Sequence, residues 1–202
     1  MNKAVSSSSK PHLPILITET GITPANDLLG KINNTHKALW WFEVLMNEIC
    51  MKNVAYTYNW GTHSPWGGGV DRGNTDVGVL LRIDNNERKP TGEIIRIVNK
   101  YLLNRMVASS TGPGYVRVYS TANASGSQVN IFLMNKNDAP SDVEIKLKND
   151  AKHARTFRCI SFRGKSPDDR NPKYEQLPAV SESKDTIKIS LPPLSLTVLE
   201  QV

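Results

Sequence analysis

The rhythm of apolar and polar positions changes near residue 105. Before it, short apolar runs alternate with helical stripes; after it, apolar and polar residues alternate almost one by one. The run Leu13-Pro14-Ile15-Leu16-Ile17-Thr18-Glu19-Thr20-Gly21 predicts a buried parallel strand that ends on a carboxylate. Between Thr35 and Met51 the residues Ala38, Trp41, Phe42, Leu45, Met46 and Ile49 recur at intervals of three and four. That spacing is the stripe of an amphipathic helix, with Thr35 as the expected N-cap. Its large aromatic side chains are expected to pack against a sheet rather than to bind a ligand. Val54-Ala55-Tyr56-Thr57-Tyr58-Asn59-Trp60 has the β-branched and aromatic content of a second strand. Strand, helix and strand in this order form a βαβ unit, which makes the strands parallel and the crossover right-handed. Glu19 and Trp60 should then emerge at the same carboxyl edge of one sheet, where α/β folds place their sites.

The segment from Gly61 to Asn74 is a long glycine-rich loop carrying His63, Trp66 and an Asp71-Arg72 pair. Long loops in compact domains tend to be functional. Gly67-Gly68-Gly69 is not followed by Lys-Ser/Thr or by a helix start, so it does not fit a phosphate-binding loop. His63 has no neighbouring ligands at metal spacing, and no metal or other cofactor is expected. Val79 to Ile83 reads as a short strand, and Lys89-Pro90 opens a second helix with Ile94, Ile95, Val98, Tyr101 and Leu102 along one face.

Beyond Arg105, strands are expected at 115–120, 128–134, 141–147, 154–162, 186–190 and 196–199, separated by short turns rich in Asn, Asp, Ser, Gly and Pro. Val143, Ile145 and Leu147 alternate with Glu144, Lys146 and Lys148. This predicts an antiparallel β-sandwich with one face of each sheet wet. The chain is thus read as α+β: residues 1–12 a flexible leader, 13–105 the βα segment and 106–202 the sandwich.

Composition narrows the partners. The net charge of +6 comes from scattered Lys and Arg without a dense basic run, so no nucleic-acid partner is expected. No stretch approaches eighteen consecutive apolar residues, so no membrane-spanning helix is expected. Cys50 and Cys159 lie far apart and outside any zinc spacing; both are read as buried free thiols. Asn33-Asn34-Thr35 and Asn123-Ala124-Ser125 match the N-glycosylation pattern, but the first twelve residues do not read as a secretion signal, and localisation is left open.

Thr18-Glu19-Thr20-Gly21 ends one strand and Tyr58-Asn59-Trp60-Gly61 the next; Gly78-Val79-Leu80-Leu81-Arg82 precedes Lys89-Pro90 and a helix; the sandwich closes on Leu191-Pro192-Pro193-Leu194-Ser195-Leu196-Thr197-Val198-Leu199. In order and spacing these motifs resemble the C-terminal part of a clan-A retaining glycoside hydrolase of the arabinofuranosidase and xylosidase type. The resemblance implies the last two βα units of a partial (β/α)8 barrel followed by the β-sandwich, and a carbohydrate substrate. It implies Glu19 as the nucleophile and Trp60 as the floor of a sugar subsite, with Asn59, His63 and Trp66 as further substrate contacts. It also implies what is missing: the acid/base glutamate belongs to an earlier barrel strand. A whole barrel takes about 250 residues. Asn47-Glu48 is the only Asn-Glu pair, and it falls in the helix between the two strands, where it is not expected to reach the carboxyl edge. On this reading the chain is a fragment that works with a partner chain or self-associates through its exposed barrel edge. The alternative is a non-catalytic carbohydrate-binding or structural β-sandwich protein that retains a barrel remnant.

Overall fold

A computed structural model of the chain describes residues 7, 10, 13–20, 33–51, 53–59, 62, 80–82, 85–148 and 155–202. The expected leader lies outside them apart from Ser7 and Lys10. Strands β1 (Ile15–Thr20) and β2 (Val54–Asn59) pair in parallel, with Ile15 opposite Val54, Ile17 opposite Thr57 and Thr20 opposite Asn59. Helix α1 (Thr35–Ile49) connects them, so the βαβ unit is present. Its N-cap is Asn34 rather than Thr35. Asn34 is extended and its Oδ1 accepts the Lys37 N–H at 2.8 Å, which makes Thr35 the first helical residue. Asn is the stronger capping residue of the two. Helix α2 (Pro90–Tyr101) starts at Pro90, whose missing N–H costs nothing at a helix start. Within the expected strand at 79–83, the described residues 80–82 form only an isolated bridge, Leu81 with Arg88.

The remaining strands are β3 (Arg105–Val107), β4 (Val116–Ala122), β5 (Val129–Asn135), β6 (Ser141–Lys146), β7 (Thr156–Arg163), β8 (Lys173–Ser181), β9 (Thr186–Leu191) and β10 (Ser195–Gln201). They form a six-stranded antiparallel sheet, ordered β3-β4-β5-β10-β7-β8, and a two-stranded sheet, β6-β9. Ile131, Leu133, Phe157, Cys159 and Leu199 of the large sheet meet Ile187, Leu191, Val143 and Ile145 of the small one, which is the interior of a sandwich.

The expectation of one wet face per sheet holds for β6, where half-buried and exposed positions alternate, and fails for the large sheet. Tyr119, Phe132, Met134, Phe162, Leu196 and Val198 on its other face pack against α1 and α2 in a second apolar cluster. Phe42 of α1 is fully buried there, its ring edge-on to Tyr119 at 5.7 Å and tilted against Phe132 at 6.0 Å. Among the thiols, Cys159 is buried as expected but Cys50, just past the last turn of α1, is exposed.

Polar contacts fasten the helices to this sheet. Glu43 of α1 pairs with Arg117 of β4 at 2.9 Å and with Lys136, just past β5, at 2.7 Å. Burial, and then the nearby Glu43 carboxylate, push the Tyr119 phenol up to about 12. It therefore stays protonated and donates to Asn47 Oδ1 at 2.9 Å. On α2, Glu93 accepts the Tyr174 hydroxyl at 2.5 Å and pairs with Arg88 and Arg96. Arg96 also lies over the Tyr174 ring, 4.4 Å from its centre.

Candidate functional site

The parallel register fixes where the candidate residues stand along the chain. Glu19 is the penultimate residue of β1 and Asn59 the last of β2, and the pairing of Thr20 with Asn59 puts both backbones at the same carboxyl ends. Trp60, His63 and Trp66 lie outside the described residues. Thr62 follows three residues after Asn59, and its carbonyl accepts the N–H groups of Leu80 at 3.1 Å and Leu81 at 2.9 Å.

Beneath the strand ends sits a carboxylate that was expected to lie elsewhere. Glu48, on the last turn of α1, accepts the Thr20 hydroxyl at 3.0 Å and the Thr57 hydroxyl at 2.5 Å. It therefore does reach the final residue of β1. The side chain is 8% exposed and its two oxygens are each engaged, one per strand. A buried carboxylate needs such donors to offset its desolvation. Here the donors tie β1 to β2 one residue beyond Glu19 and two before Asn59. Sequence reasoning placed this group in the helix and away from the edge, yet a signal exists: Glu48 stands three residues after Leu45 and seven after Trp41, a charge inside the apolar stripe.

The opposite face of the parallel pair carries exposed side chains. Leu16, Tyr56 and Tyr58 are each more than half exposed, and the two tyrosine rings stack with centres 6.4 Å apart and planes 28° from parallel. A groove of about 470 Å³ runs from Thr62 along α2, where Leu80, Leu81 and Ile95 form the apolar part and Arg88, Arg96 and Lys100 stand around it. Among the described residues no three His, Cys, Asp or Glu side chains gather as metal ligands, and no helix is long and apolar enough to cross a membrane.

No protein-family model and no curated protein matches the chain. Solved structures do. The α-L-arabinofuranosidase of Thermotoga maritima is similar over 100% of this chain and 46% of its own, at 10% identity and a TM-score of 0.73. CelM2, a bifunctional glucanase-xylanase from a metagenome library, is similar over 98% of this chain and 33% of its own, at 16% identity and a TM-score of 0.68. The family 30 xylanase Xyn30A of Clostridium acetobutylicum is similar over 93% and 42%, at 15% identity and a TM-score of 0.62. The chain thus shares the fold of part of several glycoside hydrolases and spans less than half the length of each.

Proposed function

We propose that the chain is the C-terminal part of a retaining glycoside hydrolase acting on O-glycosidic bonds of a polysaccharide or oligosaccharide. In this reading residues 13–105 are the last two βα units of a (β/α)8 barrel and 106–202 the accompanying sandwich. Glu19 is the nucleophile, Trp60 the floor on which a sugar ring stacks, and Asn59, His63 and Trp66 line the subsite. The observation that carries the reading is the shared carboxyl end of β1 and β2, where Thr20, the residue after Glu19, pairs with Asn59. The similarity in fold to an arabinofuranosidase, a xylanase and a glucanase-xylanase supports it.

Retention requires a second carboxyl group about 5 to 5.5 Å from the first, to protonate the leaving oxygen. The reading assigns that role to no residue of this sequence, so further polypeptide supplies it. Without it the rate falls by about 10² to 10⁴ for leaving groups that need a proton. The test is hydrolysis of aryl glycosides by this chain alone. Glycosides of strongly acidic phenols, which leave without protonation, are cleaved slowly by the wild type and not by Glu19→Gln. Turnover that survives Glu19→Gln removes the nucleophile assignment. Efficient cleavage of alkyl glycosides by the wild type removes the missing acid.

The stacked, exposed Tyr56 and Tyr58 favour a second reading, a protein that binds polysaccharide without cutting it. Retention of the chain on insoluble xylan or glucan, unchanged in Glu19→Gln and lost in Tyr56→Ala/Tyr58→Ala, with no turnover of any aryl glycoside, selects it.

A further inference from the structure

The two N-glycosylation patterns in the sequence meet opposite surroundings in the fold. Asn33 is 3% exposed, immediately before the N-cap of α1. Its Nδ2 donates to Thr91 Oγ1 at 2.7 Å and its Oδ1 accepts the Thr91 N–H at 3.0 Å, so its amide is a clasp between the starts of α1 and α2. A sugar on Nδ2 would have to lie between those helix ends. Asn123 instead opens the turn between β4 and β5, followed by exposed Ala124 and Ser125 and by Gly126 at φ +80°. Its carbonyl oxygen Oδ1 accepts the Ser125 hydroxyl at 3.2 Å and the Gln128 N–H at 3.2 Å. Its Nδ2 donates one hydrogen to Ser127 Oγ at 3.0 Å and keeps the other.

We propose that Asn123 is an acceptor for an N-linked glycan and that Asn33 is not. The Ser125 hydroxyl at the second position after Asn123 already touches the side-chain amide that must react, and the surrounding hydrogen bonds are solvent-exposed. The co-substrate class is a lipid-diphosphate-linked oligosaccharide presented by a membrane transferase. A bond forms between Asn123 Nδ2 and the anomeric carbon, and the bond from that carbon to the diphosphate oxygen breaks. The lipid diphosphate leaves with the electron pair, and the amide proton passes to a base of the transferase. The product is a bulky, solubilising surface group of the kind that Asn-x-Ser/Thr turns carry.

The location leaves the candidate site open. Helix α2 begins near the carboxyl edge, since Lys89 N–H donates to the Leu80 carbonyl and Leu80 N–H to that of Thr62. Its other end meets the sandwich where the Tyr101 carbonyl accepts Asn130 Nδ2 and Leu103 N–H donates to Thr121 Oγ1. Asn123 is two residues beyond Thr121, so it lies by the end of α2 away from that edge, and α2 is about 18 Å long at 1.5 Å per residue.

The test routes the full chain through a eukaryotic secretory pathway behind an added signal peptide, and reads both medium and microsomes. Enzymatic deglycosylation in heavy-oxygen water, followed by peptide mass spectrometry, marks each asparagine that carried sugar. The expected result is a label on Asn123 and none on Asn33. The gel shift of one glycan is lost in Asn123→Gln and in Ser125→Ala, and kept in Ser125→Thr and Asn33→Gln. A wild type without glycan in both fractions, a shift that survives Asn123→Gln, or a label found on Asn33 in secreted protein overturns the proposal.

Discussion

Thr57 donates its hydroxyl hydrogen to Glu48 at 2.5 Å, which places a helix carboxylate under the middle of the second parallel strand, while the other oxygen of the same group holds Thr20. Glu48→Ala removes the acceptor and leaves two hydroxyls, from different strands, without it. Stranding a buried donor costs about 1–3 kcal/mol, and these half-buried hydroxyls set the loss at the lower end of that range. Urea unfolding should show that loss, with a smaller one for Glu48→Gln, whose amide can still bond a hydroxyl. Equal unfolding midpoints for wild type and Glu48→Ala would count against the clamp.

Acid should weaken the protein through Glu43. Burial on its own would raise its pKa, but hydrogen bonds and charge from Lys136 and Arg117 outweigh burial and bring it below the usual value. A carboxyl with a lowered folded pKa adds stability above its unfolded pKa, about 4.3 for Glu. That contribution is lost as the pH falls through the lower folded value. The wild type should therefore be more stable than Glu43→Gln at neutral pH, with the two curves converging below about pH 4. Parallel curves across the acid range would remove Glu43 as the cause.

Gly164 shows how tightly the sandwich grips α1. A Cβ built on it would collide with the hydroxyl and Cβ of Thr35, whereas one on Gly112 would meet nothing within 4 Å. Overpacking of this kind costs about 1–3 kcal/mol. Thermal unfolding should rank Gly164→Ala well below wild type and Gly112→Ala close to it. The reverse order would mean the contact relaxes freely.

The exposed side chains on the far face of β1 and β2 make an association prediction. Parallel sheets are normally covered on both faces, and open edges invite pairing. Leu16 is 56% and Tyr56 62% exposed. The mass measured by sedimentation should rise with concentration for the wild type, and stay at the monomer value for Leu16→Lys/Tyr56→Lys with an unchanged far-ultraviolet spectrum. A wild type that remains monomeric at every concentration contradicts self-association.

Periodicity made the frame readable. The spacing from Ala38 to Ile49 and the alternation through Val143 and Ile145 each follow from one buried face, and burial of one face is what a sequence records. Two kinds of feature escape it. Strand β8 is an edge strand whose side chains are largely exposed, with only Leu177 and Val180 half-buried, and it contains Pro178. It writes no alternation and was not anticipated. The large sheet escapes for the opposite reason: β5 is buried on both faces, so its run of apolar residues says nothing about which layer covers which side. At the candidate site the strand ends were legible because a βαβ unit dictates them. Glu48 was not, since its partners Thr20 and Thr57 declare themselves only once the strands are side by side.

The start of α1 depends on polypeptide far along the chain. Thr35 N–H donates to the Asp169 carbonyl and His36 N–H to that of Pro167, both at 2.9 Å. Two of the donors that every helix start leaves open are thus answered from a stretch about 130 residues later. During synthesis those carbonyls do not yet exist when the helix sequence leaves the ribosome. The start of α1 must wait, incompletely closed, until residues 167–169 arrive, and such distant closure slows folding.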